Sequence, residues 1–225
     1  MTFSLLARCP ETGQFGMVIS SSSPAVAARC AHARAGVGVA ATQNITDPTL
    51  GPRLLDLMEA GTGAAQAMAE VVAEAPHVEY RQLLCVDREG RVATHSGHKT
   101  LGVWALAEGP GTVAGGNLLA QDDVPAAMVA GYRAARGTFG DRLVAGLQAG
   151  AAAGGEAGPV HSAGLLVVDR DSWPCAWLRV DWSEAARPIE ELTRAWEVYQ
   201  PQMAAYVQRA RDPREAPSYG VPGDE

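Results

Sequence analysis

The sequence is poor in aromatic residues, in lysine and in cysteine, and each shortage excludes something. Aromatic side chains make up only 6% of the 225 residues, so the core must be largely aliphatic. Its 41 alanines and 25 glycines suit a fold whose backbones approach closely. Lysine occurs once, at Lys99, among 18 basic residues. With no Lys/Arg-rich run and a net charge of −7, the chain lacks the footprint that a phosphate backbone requires, and nucleic acid is not an expected partner. The four cysteines (Cys9, Cys30, Cys85 and Cys175) form no CxxC pair and no dense framework, and are read as reduced core thiols. No apolar run approaches the ~20 residues of a membrane span. The opening MTFSLLARCPETG has neither the basic nor the long apolar region of a signal peptide, so a cytoplasmic protein with no membrane partner is expected. What is present is 47% hydrophobic and 19% charged, which excludes a disordered or low-complexity chain and leaves room for one domain with a sizeable core.

Apolar segments at Phe3–Ala7 and Phe15–Ser20, separated by Pro10 to Gly13, predict a hairpin. A third strand is predicted over Gly36–Gln43, where glycines at alternate positions leave one face bare for a closely packed neighbour. Helices are expected from Pro52 to Gly61 and over Ala64–Ala75, followed by a hairpin of Gln82–Asp87 and Arg91–His95. A short strand at Thr112–Ala114 precedes helices over Val124–Ala135 and from Phe139 or Asp141 to about Ala153. Ser162–Asp169 and Ala176–Asp181 form the last strand pair, and a helix opens at Pro188, with Pro201 expected to kink or restart it. Hairpins alternating with helix pairs disfavour single-helix crossovers between parallel strands. The expected fold is α+β: a four-layer αββα sandwich of two antiparallel sheets, with one domain over 1–208 and a loose Pro-rich tail over 209–225.

Several motifs carry no chemistry. Gly109-Pro110-Gly111 and Gly115-Gly116 are followed by no Gly-Lys-Ser/Thr, and Gly97-His98-Lys99-Thr100 lacks the upstream glycine of a phosphate-cradling loop. His95 and His98 have no third ligand at an evident spacing, so neither a metal nor another cofactor is expected. No HExxH and no GxSxG occurs. Ser20 to Ser23 end the second strand, where alternation points two hydroxyls to each face. Thr2 follows a methionine in a context that favours its removal. Once freed, it presents a hydroxyl and an α-amine that titrates near ~8, a nucleophile and its base in one residue.

MTFSLLARCPETGQFGMVISSS resembles the opening of the bacterial family called domain of unknown function 1028. So, in order, do ARAGVGVAATQ, DPTLGPRLLDLMEAG, THSG, GGNLLA, HSAGLLVVD and RVDWSEAARPIEELTRAWEVY. The resemblance runs from Met1 to about Tyr199 and implies an N-terminal-nucleophile (Ntn) hydrolase-like fold. It implies a hydrolase that cleaves an amide bond of a small molecule, with Thr2 as nucleophile and amine base after Met1 is removed. Asn117 is similar to the oxyanion-hole asparagines of Ntn amidases. Ser4 is the fallback hydroxyl on the same strand face. Ser21, Ser22, Gln43, Asp47, His95 and His161 are the candidate substrate-binding residues. Proteasome-type chemistry would require Lys99 to reach the site. The alternative is a catalytically inactive binding or assembly protein on the same fold, and a homodimer is expected from the prevalence of two-fold assemblies.

Overall fold

A computed structural model describes residues 1–221. Six strands form the first sheet: β1 (Thr2–Arg8), β2 (Phe15–Ser21), β7 (Ala105–Gly109), β8 (Thr112–Asn117), β9 (Ser162–Val168) and β10 (Ala176–Val180), in the spatial order β10-β9-β2-β1-β8-β7. The second sheet has the order β3-β4-β5-β6, from β3 (Ala31–Arg34), β4 (Gly38–Asn44), β5 (Arg81–Asp87) and β6 (Val92–Ser96). All pairings in both sheets are antiparallel.

Alternation along β1 decides the layering. Phe3, Leu5 and Ala7 pack outward against α4 (Val124–Ala134), α5 (Phe139–Ala152) and α6 (Pro188–Arg211). Leu6 packs inward with Phe15, Met17 and Ile19 against Val39, Ala41, Leu84 and Val86 of the second sheet. On that sheet's far side, Ala40, Leu83 and Cys85 bury the apolar faces of α2 (Leu50–Glu59) and α3 (Ala64–Glu74). The chain is therefore the four-layer αββα sandwich expected from its hairpin and helix order.

Local chemistry sets the helix ends. Thr138 and Asp141 form a reciprocal capping box at the start of α5. The first N–H of α3, from Ala64, is satisfied across space by Asp87 Oδ2 at 3.0 Å. The bare face anticipated at Gly38 faces α2: a Cβ there would lie 3.0 Å from the Met58 terminal methyl and 2.5 Å from the Val86 carbonyl oxygen.

The structure departs from the expected elements in several places. A short helix α1 (Val26–Cys30) and the edge strand β3 precede β4, and β7 pairs with β8 across what reads as a glycine loop. β8 continues through Gly115 and Gly116 to Asn117. Pro201 lies inside a continuous α6, because Leu192 and Trp196 before it and Met203 and Val207 after it pack on the same core. α6 also runs three residues past the expected boundary at 208. The following segment turns back on it: Arg209 donates to the Pro217 carbonyl at 2.7 Å and lies over the Tyr219 ring at 3.7 Å. Pro222 and Gly223, part of the expected tail, lie outside the described residues. All four cysteines are free and buried. No helix among the described residues is long and apolar enough to cross a membrane.

Candidate functional site

The inner face of the first sheet is aliphatic over most of its area and polar at one end. Register places Ser162 beside Ser21 and Asn117 beside Thr2, and the pairing of β1 with β2 brings Thr2 next to Ser21. Ser162, Ser21, Thr2 and Asn117 thus form one row across four strands, and all four are almost fully buried. The next row inward holds Gly164, Ile19, Ser4 and Gly115. Gly115 leaves room for both sheets, since a Cβ there would meet Leu106 of the adjacent strand at 2.7 Å and Leu84 of the opposite sheet at 2.9 Å.

Two glutamines of the second sheet reach into that gap. Ser4 Oγ donates to Gln43 Oε1 at 2.9 Å, and Gln43 Nε2 donates to Gln82 Oε1 at 2.8 Å and to the Gly115 carbonyl at 3.2 Å. Gln82 Nε2 donates to the Gly116 carbonyl and to Ser96 Oγ, both at 3.1 Å. Backbone carbonyls only accept, so they fix both amide orientations. Gln82 Oε1 must therefore accept, and Asn117 Nδ2 supplies its second bond at 3.1 Å. Asn117 Oδ1 is left buried without a partner among the described residues. Ser4, its hydroxyl donating to Gln43 and its surface fully covered, is a member of this network.

A second chain of hydrogen bonds runs from the rim to Thr2. Arg29 Nη2 donates to Ser23 Oγ at 3.0 Å, Ser23 and Ser21 hydroxyls are 2.8 Å apart, and Ser21 Oγ donates to the Met1 carbonyl at 2.5 Å. The Thr2 hydroxyl lies 3.5 Å from Ser21 Oγ and also donates to the Met1 carbonyl. A guanidinium at the far end polarises every hydroxyl between it and that carbonyl. Ala25, in the left-handed region at φ 53°, turns the chain into α1 and so brings Arg29 back over Ser23.

Glu156, in the glycine-rich loop after α5, closes the site from the other side. Its two carboxylate oxygens accept from the Ser22 backbone N–H at 3.2 and 3.1 Å, and the residue is 5% exposed. Burial pushes its carboxyl up to about 7, against the positive charge of the Met1 amino group and the hydrogen bonds from Ser22. The terminal methyl of Met1 lies over Gly158 of the same loop.

Thr2, Ser21, Asn117, Ser4 and Gln43 are thus gathered in one cluster, with Ser22 bordering it through Glu156. Three other expected residues turn their side chains elsewhere, although the His161 backbone N–H donates to the Ser21 carbonyl at 2.8 Å. Ser96 faces inward, so alternation turns its neighbour His95 to the outer side, where Nε2 sits 3.2 Å from the carbonyl of Val78, in the turn after α3. Asp47 accepts from the Thr49 hydroxyl at 2.7 Å and backbone N–H at 3.0 Å, and these bonds hold its carboxyl below the usual range. His161 is tied to the Ser183 carbonyl at 2.8 Å and stacked on Trp182 at 4.3 Å. Lys99 is 3.0 Å from the Tyr80 hydroxyl and 3.5 Å from Glu79, committed to an exposed cluster. No group of three or more potential metal ligands occurs among the described residues. Sequence reasoning missed Gln82, Ser96, Arg29 and Glu156; for Gln82 the available signal was its place on the inward parity of β5.

Residues 2–192 match a family model described as a family of unknown function, DUF1028. A crystal structure of a protein of that family from Silicibacter pomeroyi is 28% identical, covers 88% of this chain and 89% of its own, and has a TM-score of 0.82. HslV from Trypanosoma brucei is 11% identical over 75% of this chain and 99% of its own, with a TM-score of 0.44. Anbu from Hyphomicrobium sp. strain MC1 is 13% identical over 92% of this chain and 99% of its own, with a TM-score of 0.38. No curated relative matches the sequence.

Proposed function

Since the chain belongs to the DUF1028 family, we propose that it is an Ntn-type hydrolase that cleaves an amide bond in a small molecule, with Thr2 as nucleophile once the bond preceding it is cut. The observation that carries this reading is the placement of Thr2: its hydroxyl stands at the end of an inner strand, beside Ser21 and opposite Asn117, where a carbonyl is already held.

Cleavage before Thr2 converts its buried amide nitrogen into an amine. The neutral amine takes the Oγ1 proton as Oγ1 attacks the substrate carbonyl carbon. Ser21 Oγ, already donating to a carbonyl, and the second amide hydrogen of Asn117 then serve the oxyanion; a donor of this kind is worth about 3 kcal/mol of barrier. The amine passes its proton to the leaving nitrogen as the C–N bond breaks and an ester on Oγ1 remains. Water, deprotonated by the same amine, hydrolyses the ester, releasing the acid and restoring the hydroxyl.

Thr2→Ala in a chain whose intact mass shows loss of Met1 should abolish amide hydrolysis and leave thermal unfolding unchanged. Undiminished turnover by that variant refutes the reading. Ligand-induced stabilisation without turnover in either form would instead establish the binding protein.

A further inference from the structure

Met1 is itself an acyl group carried on Thr2, and each of its parts has a counterpart in the site. Its carbonyl accepts from Ser21 Oγ at 2.5 Å and from the Thr2 hydroxyl. Its side chain passes over Gly158, at ordinary contact distance from where a Cβ would lie, and Met1 remains 37% exposed. Among the described residues its amino group forms no ion pair with Glu156, but its positive charge acts on that carboxyl, and the carboxylate is held by Ser22, the residue after the serine that holds the carbonyl.

The nitrogen and Oγ1 of one threonine are joined through only two carbons. An acyl group on Oγ1, as in a covalent intermediate, therefore occupies much the same space as one on the nitrogen. Removal of Met1 vacates that space and leaves its polar contacts in place. A buried carboxylate with a single N–H partner is a poorly solvated anion, and an ammonium group is its natural complement.

We propose that the site takes amides of α-amino acids whose amino group is free, and that Glu156 is the specificity-determining residue that reads the α-ammonium while Ser21 holds the adjacent carbonyl. This rests on the hydrolase reading for turnover, whereas recognition of the ammonium stands apart from it. The open end of the Met1 side chain implies tolerance of side-chain length. Acylation of the substrate amine removes the charge and places bulk against Glu156.

The test uses chain with Met1 removed, verified by intact mass, and compares L-methionine 4-nitroanilide with its N-acetyl derivative. The free amine should be favoured by at least about tenfold in kcat/KM, the scale of a hydrogen bond to a charged partner, and Glu156→Gln should erase the preference. In parallel, L-methioninamide and N-acetyl-L-methioninamide are titrated calorimetrically into the Thr2→Ala chain, with and without Glu156→Gln. Tighter binding of the free amine, lost in the Glu156 variant, supports the recognition even if neither anilide is cleaved, an outcome that would sink the hydrolase reading alone. Equal binding of the two ligands, binding of neither, or a preference that survives Glu156→Gln overturns the inference. Hydrolysis of the capped anilide in preference to the free one overturns it while leaving the hydrolase reading intact.

Discussion

Glu156→Gln isolates a buried carboxyl whose neutral form the fold favours. Its ordinary value of 4.5 is raised by burial to about 7. Each tenfold change in proton affinity is worth about 1.4 kcal/mol, so the preference of the folded chain for the protonated form amounts to about 3 kcal/mol. The sign follows from which state holds the proton. Between 4.5 and about 7 the folded chain binds it and the unfolded chain does not. The contribution is therefore full below the unfolded value and is lost as pH rises through the folded one. Glutamine keeps an acceptor for the Ser22 N–H and does not titrate. Urea unfolding of both chains at several pH values from about 5 to about 8 should show the native protein losing about 3 kcal/mol relative to the variant as pH rises. The opposing charge of the Met1 amino group is part of that balance, so chain without Met1 should give a different slope. A difference that stays flat with pH, or rises with it, would refute the assignment of Glu156 as a carboxyl held neutral by burial.

Gln82→Leu removes the acceptor shared by Gln43 and Asn117 and the donor to the Gly116 carbonyl; a stability loss of about 2–4 kcal/mol in denaturant titrations is the expected result. Gly164→Ala sets a Cβ 2.3 Å from that of Ala27 and should cost about 1–3 kcal/mol, read by thermal unfolding. Arg29→Met unhooks the cation from the serine chain and should lower kcat by about tenfold with little change in the unfolding midpoint. Lys99→Met should leave turnover within about twofold of the native chain, because its partners Tyr80 and Glu79 lie outside the site; a larger loss would return the lysine to the mechanism.

The sequence made the hairpins and helix pairs legible because punctuation and period agree there: Pro10 to Gly13 between two apolar strands, and Gly61 between α2 and α3. The elements it concealed are short or at an edge. β3 reads AHAR and β7 reads ALAEG, with too few residues and too mixed a pattern to announce a strand. Thr2, Ser21 and Asn117 could each be singled out, but their adjacency depends on strand order, which no local pattern encodes. Gln82 sits beside Leu83 and Leu84 and looks like an ordinary strand entry until the opposite sheet supplies the Gly116 carbonyl and the Asn117 amide. Glu156 is the only acid in a run of glycine and alanine, a context that reads as solvent; the N–H that holds it belongs to Ser22, more than a hundred positions away.

The amide network from Ser4 to Asn117 spans the two sheets at one end only, whereas the rest of their interface is aliphatic. Aliphatic contacts resist separation and position the sheets through the shape of their packing, without any directional bond. Hydrogen bonds to the carbonyls of Gly115 and Gly116 are directional and tolerate little. The network therefore acts as the datum from which the sandwich is aligned. Mutations that loosen the middle layer should therefore shift the far end of β1, at Arg8, before they disturb the geometry around Thr2.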